Sequence, residues 1–312
     1  MTGPDPAAAA PLSPGSTVLP WLPPGRLVAV AGRGEVFVRH HQHPDPTAPT
    51  LLLLHGWTAS ADLQFFMAYQ QLAAAYSFVA VDHRGHGRGV RTTDVFRLED
   101  AADDAAGVVR ALGIDRVVTV GYSMGGPISL HLARRHPELV AGLVVEATAL
   151  EWRARWSDRL RWRMVPLLGS VLRSWTYPHL LHRGVTRMLV PGNPLRPVAP
   201  WLAAEARRGD PMAIVQAGRA LSRYDARPWA HELDRPAAAL ITTRDRLVVP
   251  RRQRQLAGAL GAHARELAGD HLAPWEQPTE FSALTRELVD HVVARVAATD
   301  PAARQSSSSG RG

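Results

Sequence analysis

Val117-Val118-Thr119-Val120-Gly121-Tyr122-Ser123-Met124-Gly125-Gly126 is the stretch that decides how this chain is read. A β-branched apolar run enters a Gly-x-Ser-x-Gly sequence and leaves it, from Met124 to about Arg135, as a segment with helical spacing. A serine on so tight a strand-to-helix turn stands with its Oγ above the sheet. Gly121 and Gly125 omit the Cβ atoms that would crowd such a turn, and Gly126 eases the approach of the helix. The start of that helix also offers the Met124 N–H to a developing oxyanion. A glycine-rich turn with an incidental serine is the plain alternative, so the surroundings must decide.

Working outward, strand and helix signals alternate. Arg26–Val30 and Glu35–His40 flank Gly32-Arg33-Gly34 as a hairpin, and Thr50–Leu54 and Phe78–Val81 are short apolar runs of the kind buried on both faces. Residues 61–75 and Asp100–Leu112 read as helices, and Leu139–Glu146 as a strand. After a break at 150–232 the alternation resumes with strand Ala238–Thr242, a helix from about 251, a strand at Ala264–Leu267 and a helix over 277–296. This pattern predicts an α/β fold with a mostly parallel sheet covered by helices on both faces.

Two other strand ends carry polar loops. Leu51–Leu54 runs into His55-Gly56-Trp57, which places the Trp57 N–H to serve as a second backbone donor opposite Met124. His55 reads as a loop-holding histidine rather than a proton carrier. Ala80-Val81 runs into Asp82-His83-Arg84-Gly85-His86-Gly87, where Asp82, Arg84 and His86 read as loop-stabilising.

In this order, each after an apolar strand, Leu-Leu-His-Gly-Trp, Asp-His-Arg-Gly-His-Gly and Gly-Tyr-Ser-Met-Gly-Gly resemble the α/β-hydrolase superfamily, in particular its serine-dependent esterase and lipase-like members. The resemblance covers about residues 27–296. It implies Ser123 as nucleophile on an elbow formed with Gly121 and Gly125, Trp57 and Met124 N–H groups as an oxyanion hole, and an acid and then a histidine later in the chain. Asp245, in Thr242-Thr243-Arg244-Asp245-Arg246, and His271, in Ala268-Gly269-Asp270-His271, occupy those places. The hydroxyl needs a base, and the imidazole needs a carboxylate to fix its tautomer. Asp270 adjoins His271 and ranks behind Asp245, because chain neighbours in a loop rarely face each other. Thr or Arg before Asp245 stands where the family often has Gly.

Within the superfamily, epoxide hydrolases and haloalkane dehalogenases use Asp at the position of Ser123. The C–C bond hydrolases usually follow His-Gly with further Gly and Pro, where this chain has Trp57-Thr58-Ala59. Cofactor-free perhydrolases share the serine arrangement and stand as an alternative, as does a non-catalytic membrane-associated binding protein on the same fold. Neither a cofactor nor a metal is expected. His40, His41 and His43 lie beside a Pro-rich turn and read as solvated, and no glycine-rich phosphate loop occurs.

Composition agrees with a globular protein: 312 residues, 46% hydrophobic and 21% charged. The absence of Cys excludes a disulfide framework and thiolate chemistry. All 36 basic residues are Arg, and the formal charge is +8. The 150–232 segment holds fourteen Arg against six acids, and six of the nine Trp, so the whole excess lies there. That segment reads as a helical cap or lid inserted into a core of residues 26–149 and 233–298. Trp152, Trp156, Leu160 and Met164 are spaced as one helix stripe. An apolar underside would suit a medium or long acyl ester, a small molecule or lipid, and the Arg and Trp would suit peripheral contact with a membrane. No nucleic-acid motif accompanies the arginines. Residues 1–25, rich in Pro and Ala, read as an unstructured arm rather than a secretory signal, and 299–312 as a polar tail starting near Ala297. With no apolar run near the roughly 18 residues of a membrane span, a cytoplasmic location is expected.

Overall fold

The computed structural model describes residues 19–153, 162–165, 167, 170–171 and 192–299. Eight strands form one sheet: β1 (Gly25–Val30), β2 (Gly34–His41), β3 (Thr50–Leu54), β4 (Ser77–Val81), β5 (Val117–Tyr122), β6 (Val140–Glu146), β7 (Ala237–Thr242) and β8 (His263–Leu267). Their order is β1-β2-β4-β3-β5-β6-β7-β8. β2 pairs antiparallel with both β1 and β4, and every later pairing is parallel. The helices are α1 (Ala61–Ala73), α2 (Leu98–Ala111), α3 (Gly125–Arg135), α4 (Ala199–Ala206), α5 (Pro211–Arg223), α6 (Pro250–Ala259), α7 (Ala273–Glu276) and α8 (Pro278–Thr299), with short 3-10 turns at Arg196–Val198 and Ala230–Glu232.

Strands β5, β6 and β7 are buried at every position, which is why their sequences are mainly apolar, with Thr119, Glu146 and Thr242 as the polar exceptions and no regular polar alternation. Within β3 the side chains alternate between layers. Leu52 and Leu54 join the core under α2 and α3, and Leu51 and Leu53 join the core under α1 and α8. Edge strand β8 is exposed along most of its length and carries Arg265 and Glu266, charges that discourage pairing with another chain.

Residues 150–232 separate β6 from β7. Leu195, Val198, Ala199, Leu202 and Ala203 pack on the α1 side of the core, whereas Ala217, Leu221, Tyr224 and Trp229 pack on the other side. The two described ends of the predicted stripe, Trp152 and Met164, do not lie in a helix. Glu151 bridges Asp225, Trp152 sits buried in a bend after it, and Met164 is 52% exposed in a turn. Trp156 and Leu160 lie outside the described residues, as do residues 1–18 of the predicted arm and 300–312 of the predicted tail. The end of the arm is tied to the sheet: His40 N donates to Pro24 O at 3.0 Å, and Gly25 already belongs to β1, while Leu19 and Trp21 stay exposed. At the other end α8 runs through Ala297 to Thr299, because Val289 and Val292 continue its buried face and Val296 packs against the same core.

The loop after β4 is held by ion pairs. Arg84 binds Asp104 of α2 through two hydrogen bonds of 2.7 Å, and Arg33 reaches the same carboxylate at 2.9 Å. Arg84 is 8% exposed and Asp104 3%. Removing one partner would strand a buried charge, so Asp104→Ala should lower the unfolding free energy by about 3–5 kcal/mol in denaturant titration. A loss below about 1 kcal/mol, the range of a surface pair, would contradict this assignment.

Candidate active site

The site is assembled from three loops at the C-terminal ends of parallel strands. β5 ends at Tyr122, and Ser123 follows with φ 51°, in the left-handed region that a non-Gly residue rarely adopts. The glycines on either side are needed for contact reasons. A Cβ on Gly121 would lie 2.4 Å from Gly125 O, and one on Gly125 only 1.9 Å from Leu54 O. The turn is closed by Ser123 N donating to Glu146 O (2.8 Å) and Gly126 N donating to Ser123 O (3.0 Å).

Asp245 follows β7 and His271 follows β8, and the sheet order carries both loops to the serine. His271 Nε2 lies 2.9 Å from Ser123 Oγ, and His271 Nδ1 lies 2.7 Å from Asp245 Oδ2. In the neutral ring whose Nδ1–H donates to Asp245, Nε2 is left to accept the serine proton. Asp245 is 3% exposed and fully engaged. Its Oδ1 accepts from Leu247 N and Val248 N (2.8 Å each), and its Oδ2 also accepts from Thr242 Oγ1 (2.9 Å) and Gln253 Nε2 (3.2 Å). Asp270 instead accepts the His271 backbone N–H at 2.6 Å, and Arg246 N at 3.2 Å, so it shapes the loop and does not meet the imidazole through the bonds it makes.

Trp57 and Met124 stand on the β3 and β5 loops. A Cβ on the adjoining Gly56 would come within 3.3 Å of Ser123 Cβ, which sets how closely these two loops approach. Neither backbone N–H has an acceptor among the described residues. The Trp57 indole is anchored by donating to Ile214 O of α5 at 2.7 Å. His55 Nε2 accepts from His83 N (3.0 Å) and its Nδ1–H donates to Gly56 O (2.8 Å), so this histidine ties two loops together. Burial holds His83 down to about 3 and His86 to about 4, which leaves both rings neutral.

Several residues of this environment were not singled out from sequence. Tyr122, a variable position of the Gly-x-Ser-x-Gly pattern, donates its hydroxyl to His271 O at 2.7 Å and so ties the elbow to the histidine loop. Thr242 and Gln253 steady Asp245. Glu146 is fully buried below the elbow. Its Oε1 accepts from Thr285 (2.7 Å), and its Oε2 has no partner among the described residues.

Above Ser123 lies a cavity of about 360 Å³ with mostly apolar walls, including Trp57, Trp152, Trp162, Trp275, Leu221 and Leu247. Trp162 is fixed by donating its indole N–H to Trp152 O at 2.8 Å, and it packs on Trp57 with ring centroids 5.6 Å apart. Arg and Lys are absent from the cavity walls among the described residues.

The chain belongs to the alpha/beta hydrolase fold family, whose sequence model matches residues 49–278. The pimeloyl-[acyl-carrier protein] methyl ester esterase of Neisseria meningitidis is 29% identical over 253 residues, 77% of this chain and 93% of that protein. Epoxide hydrolase B of Mycobacterium tuberculosis is 32% identical over 103 residues, 32% of this chain, and the match spans only 29% of that relative's length. Among solved structures, a thermophilic esterase from Thermogutta terrifontis superposes with a TM-score of 0.69 at 22% identity, over 86% of this chain and 99% of that one, and shares the fold. Among the described residues no helix is long and apolar enough to cross a membrane.

Burial pushes the Glu146 carboxyl up to about 7 from the ordinary 4.5. The fold favours its protonated form, so its contribution to stability is complete below the ordinary value and is lost as pH rises through about 7. Glu146→Gln removes this dependence. Urea unfolding should show wild type losing about 3 kcal/mol relative to the variant between about pH 4.5 and about pH 8. Parallel pH profiles would show that the carboxyl is not held in this way.

Proposed function

We propose that the protein is a serine hydrolase that cleaves carboxylic esters with apolar, medium or long acyl groups through an acyl-enzyme. The observation that carries this reading is the unbroken hydrogen-bonded chain from Asp245 through His271 to Ser123, opening into a cavity walled by Trp and Leu. In this mechanism His271 Nε2 takes the Ser123 proton as Oγ attacks the ester carbonyl. The imidazolium that forms is stabilised by the Asp245 carboxylate. Negative charge gathers on the carbonyl oxygen, where the free N–H groups of Trp57 and Met124 receive it. Collapse expels the alcohol, which leaves with the proton from His271. Water, deprotonated by the same imidazole, then attacks the acyl-serine, and the acid departs with Ser123 restored.

The substrate reading follows from what the cavity lacks as well as from what lines it. A charged acyl chain would be desolvated there without an arginine to pair it, whereas methylenes gain by leaving water. The epoxide-opening chemistry in the name of the Mycobacterium relative does not transfer to this chain, because an alkyl-ester intermediate needs a carboxylate where Ser123 stands. The exposed Met164, Leu167 and Val171 and the net charge of the insertion suit an ester presented at a lipid surface.

p-Nitrophenyl esters of increasing acyl length, assayed with wild type and Ser123→Ala, test the reading. kcat/KM should rise about three- to fourfold per methylene until the cavity is filled. Ser123→Ala should lose about 10⁴-fold or more in kcat while keeping its unfolding transition. Retained turnover in Ser123→Ala, or a fall in kcat/KM beyond acetate, would contradict it.

A further inference from the structure

Helix α5 has two faces with different company. Ile214, Ala217, Gly218 and Leu221 are buried at helical spacing. On that side Gly218 makes room for Trp57, since a Cβ would fall 2.7 Å from the indole, and Leu221 reaches the cavity over Ser123. The opposite side, with Gln216, Arg219 and Arg223, forms one wall of a separate groove of about 670 Å³, nearly twice the volume of the Ser123 cavity. The start of α2, from Val95 to Glu99, and His131 and Arg134 of α3 form the other walls.

Four guanidinium groups line this groove, those of Arg97, Arg134, Arg219 and Arg223. Arg134 stacks over Trp229 at 4.6 Å. The guanidinium groups of Arg97, Arg219 and Arg223 have no hydrogen-bond or ion-pair partner among the described residues. Among the described residues two acids line it: Asp225 is bound by Arg227 at 2.6 and 2.9 Å, and Glu99, half exposed, lies 3.8 Å from His131 Nε2, so four arginines still outnumber the one carboxylate without an arginine partner. Helix α2 opens here at Arg97 without a side-chain cap, so its first N–H groups also favour negative charge.

The inner surface supplies a second, independent signal. Tyr224 lines the groove, is 7% exposed, and has a buried hydroxyl with no partner among the described residues. An unmet buried hydroxyl is costly, about 1–3 kcal/mol, unless a ligand or water meets it. Beside it the His131 ring stands 5.6 Å from the ring of Tyr224 and 5.5 Å from that of Trp229, in inclined contacts that give this wall an aromatic surface. Uncompensated arginines over an aromatic floor match neither a neutral ester nor a bare cation.

We infer that this groove is a second ligand site, for a small molecule carrying a phosphate or a pair of carboxylates on a flat ring. Guanidinium forks take either anion through paired N–H bonds, and the ring lies along the aromatic wall made by His131, Tyr224 and Trp229. Because α5 also holds Trp57, an occupant bears on the helix that anchors the Ser123 cavity; this last link rests on the serine-hydrolase reading, but binding itself does not.

Isothermal calorimetry with phenyl phosphate, phthalate, inorganic phosphate and phenol tests the site without using turnover. The two aromatic dianions should bind at one site per chain, at least tenfold tighter than inorganic phosphate or phenol. Arg219→Ala/Arg223→Ala should weaken them tenfold or more, whereas Arg163→Ala/Arg207→Ala, which removes the same charge elsewhere on the insertion, should leave them unchanged. Ser123→Ala should bind as wild type does, which separates this site from the hydrolase reading. Whether phosphate or dicarboxylate binds tighter identifies the anion. No saturable binding at millimolar concentration, or equal loss in both double variants, would overturn the proposal.

Discussion

A single backbone constraint organises the site: Ser123 must hold φ 51° at the end of a buried strand. For a residue with a side chain this conformation costs about 1–3 kcal/mol, and it persists only where the surroundings over-determine it. Here the determination is mutual. Gly121 and Gly125 leave space that no other residue could, Glu146 O and Gly126 N bind the turn, and the buried strands on either side hold the level at which it occurs. Once the serine stands above the sheet edge, parallel order does the rest, since β7 and β8 end on the same edge and present Asp245 and His271 to it.

The segment between β6 and β7 builds on that edge. Its helices contribute to both cores, so it is continuous with the packing of the sheet, and α5 serves two surfaces at once. Toward the serine it offers Gly218, Leu221 and the Ile214 carbonyl, and away from it Arg219 and Arg223. Among the described residues no arginine stands in the walls over Ser123, whereas Arg219 and Arg223 join Arg97 and Arg134 in the groove beside the rings and the unmet hydroxyl.

The legible parts of the sequence were those governed by short-range rules. Buried parallel strands are apolar runs, a tight elbow demands glycines at fixed offsets, and both can be read within ten residues of Ser123. Asp245 and His271 carry no such local mark. They lie far from the serine in the chain and were located through the order of motifs that the family shares. Tyr122, Thr242 and Gln253 escaped because a hydrogen bond across loops has no periodicity to betray it. The spacing from Trp152 to Met164 misled for the opposite reason. A helical period was present, but the Glu151–Asp225 bridge and the Trp162 bond to Trp152 O placed Trp152 in a bend. At the C-terminal end, alanines that looked like the start of a tail extend α8 because Val296 still has a core to cover.

The central claim is that Ser123 is the residue that becomes acylated, and covalent trapping addresses it directly. Folded protein treated with a fluorophosphonate and digested for peptide mass mapping should carry one adduct, on the peptide containing Ser123, and His271→Ala should label far more slowly. An adduct confined to another residue, or no adduct in protein that retains ester turnover, would contradict the account.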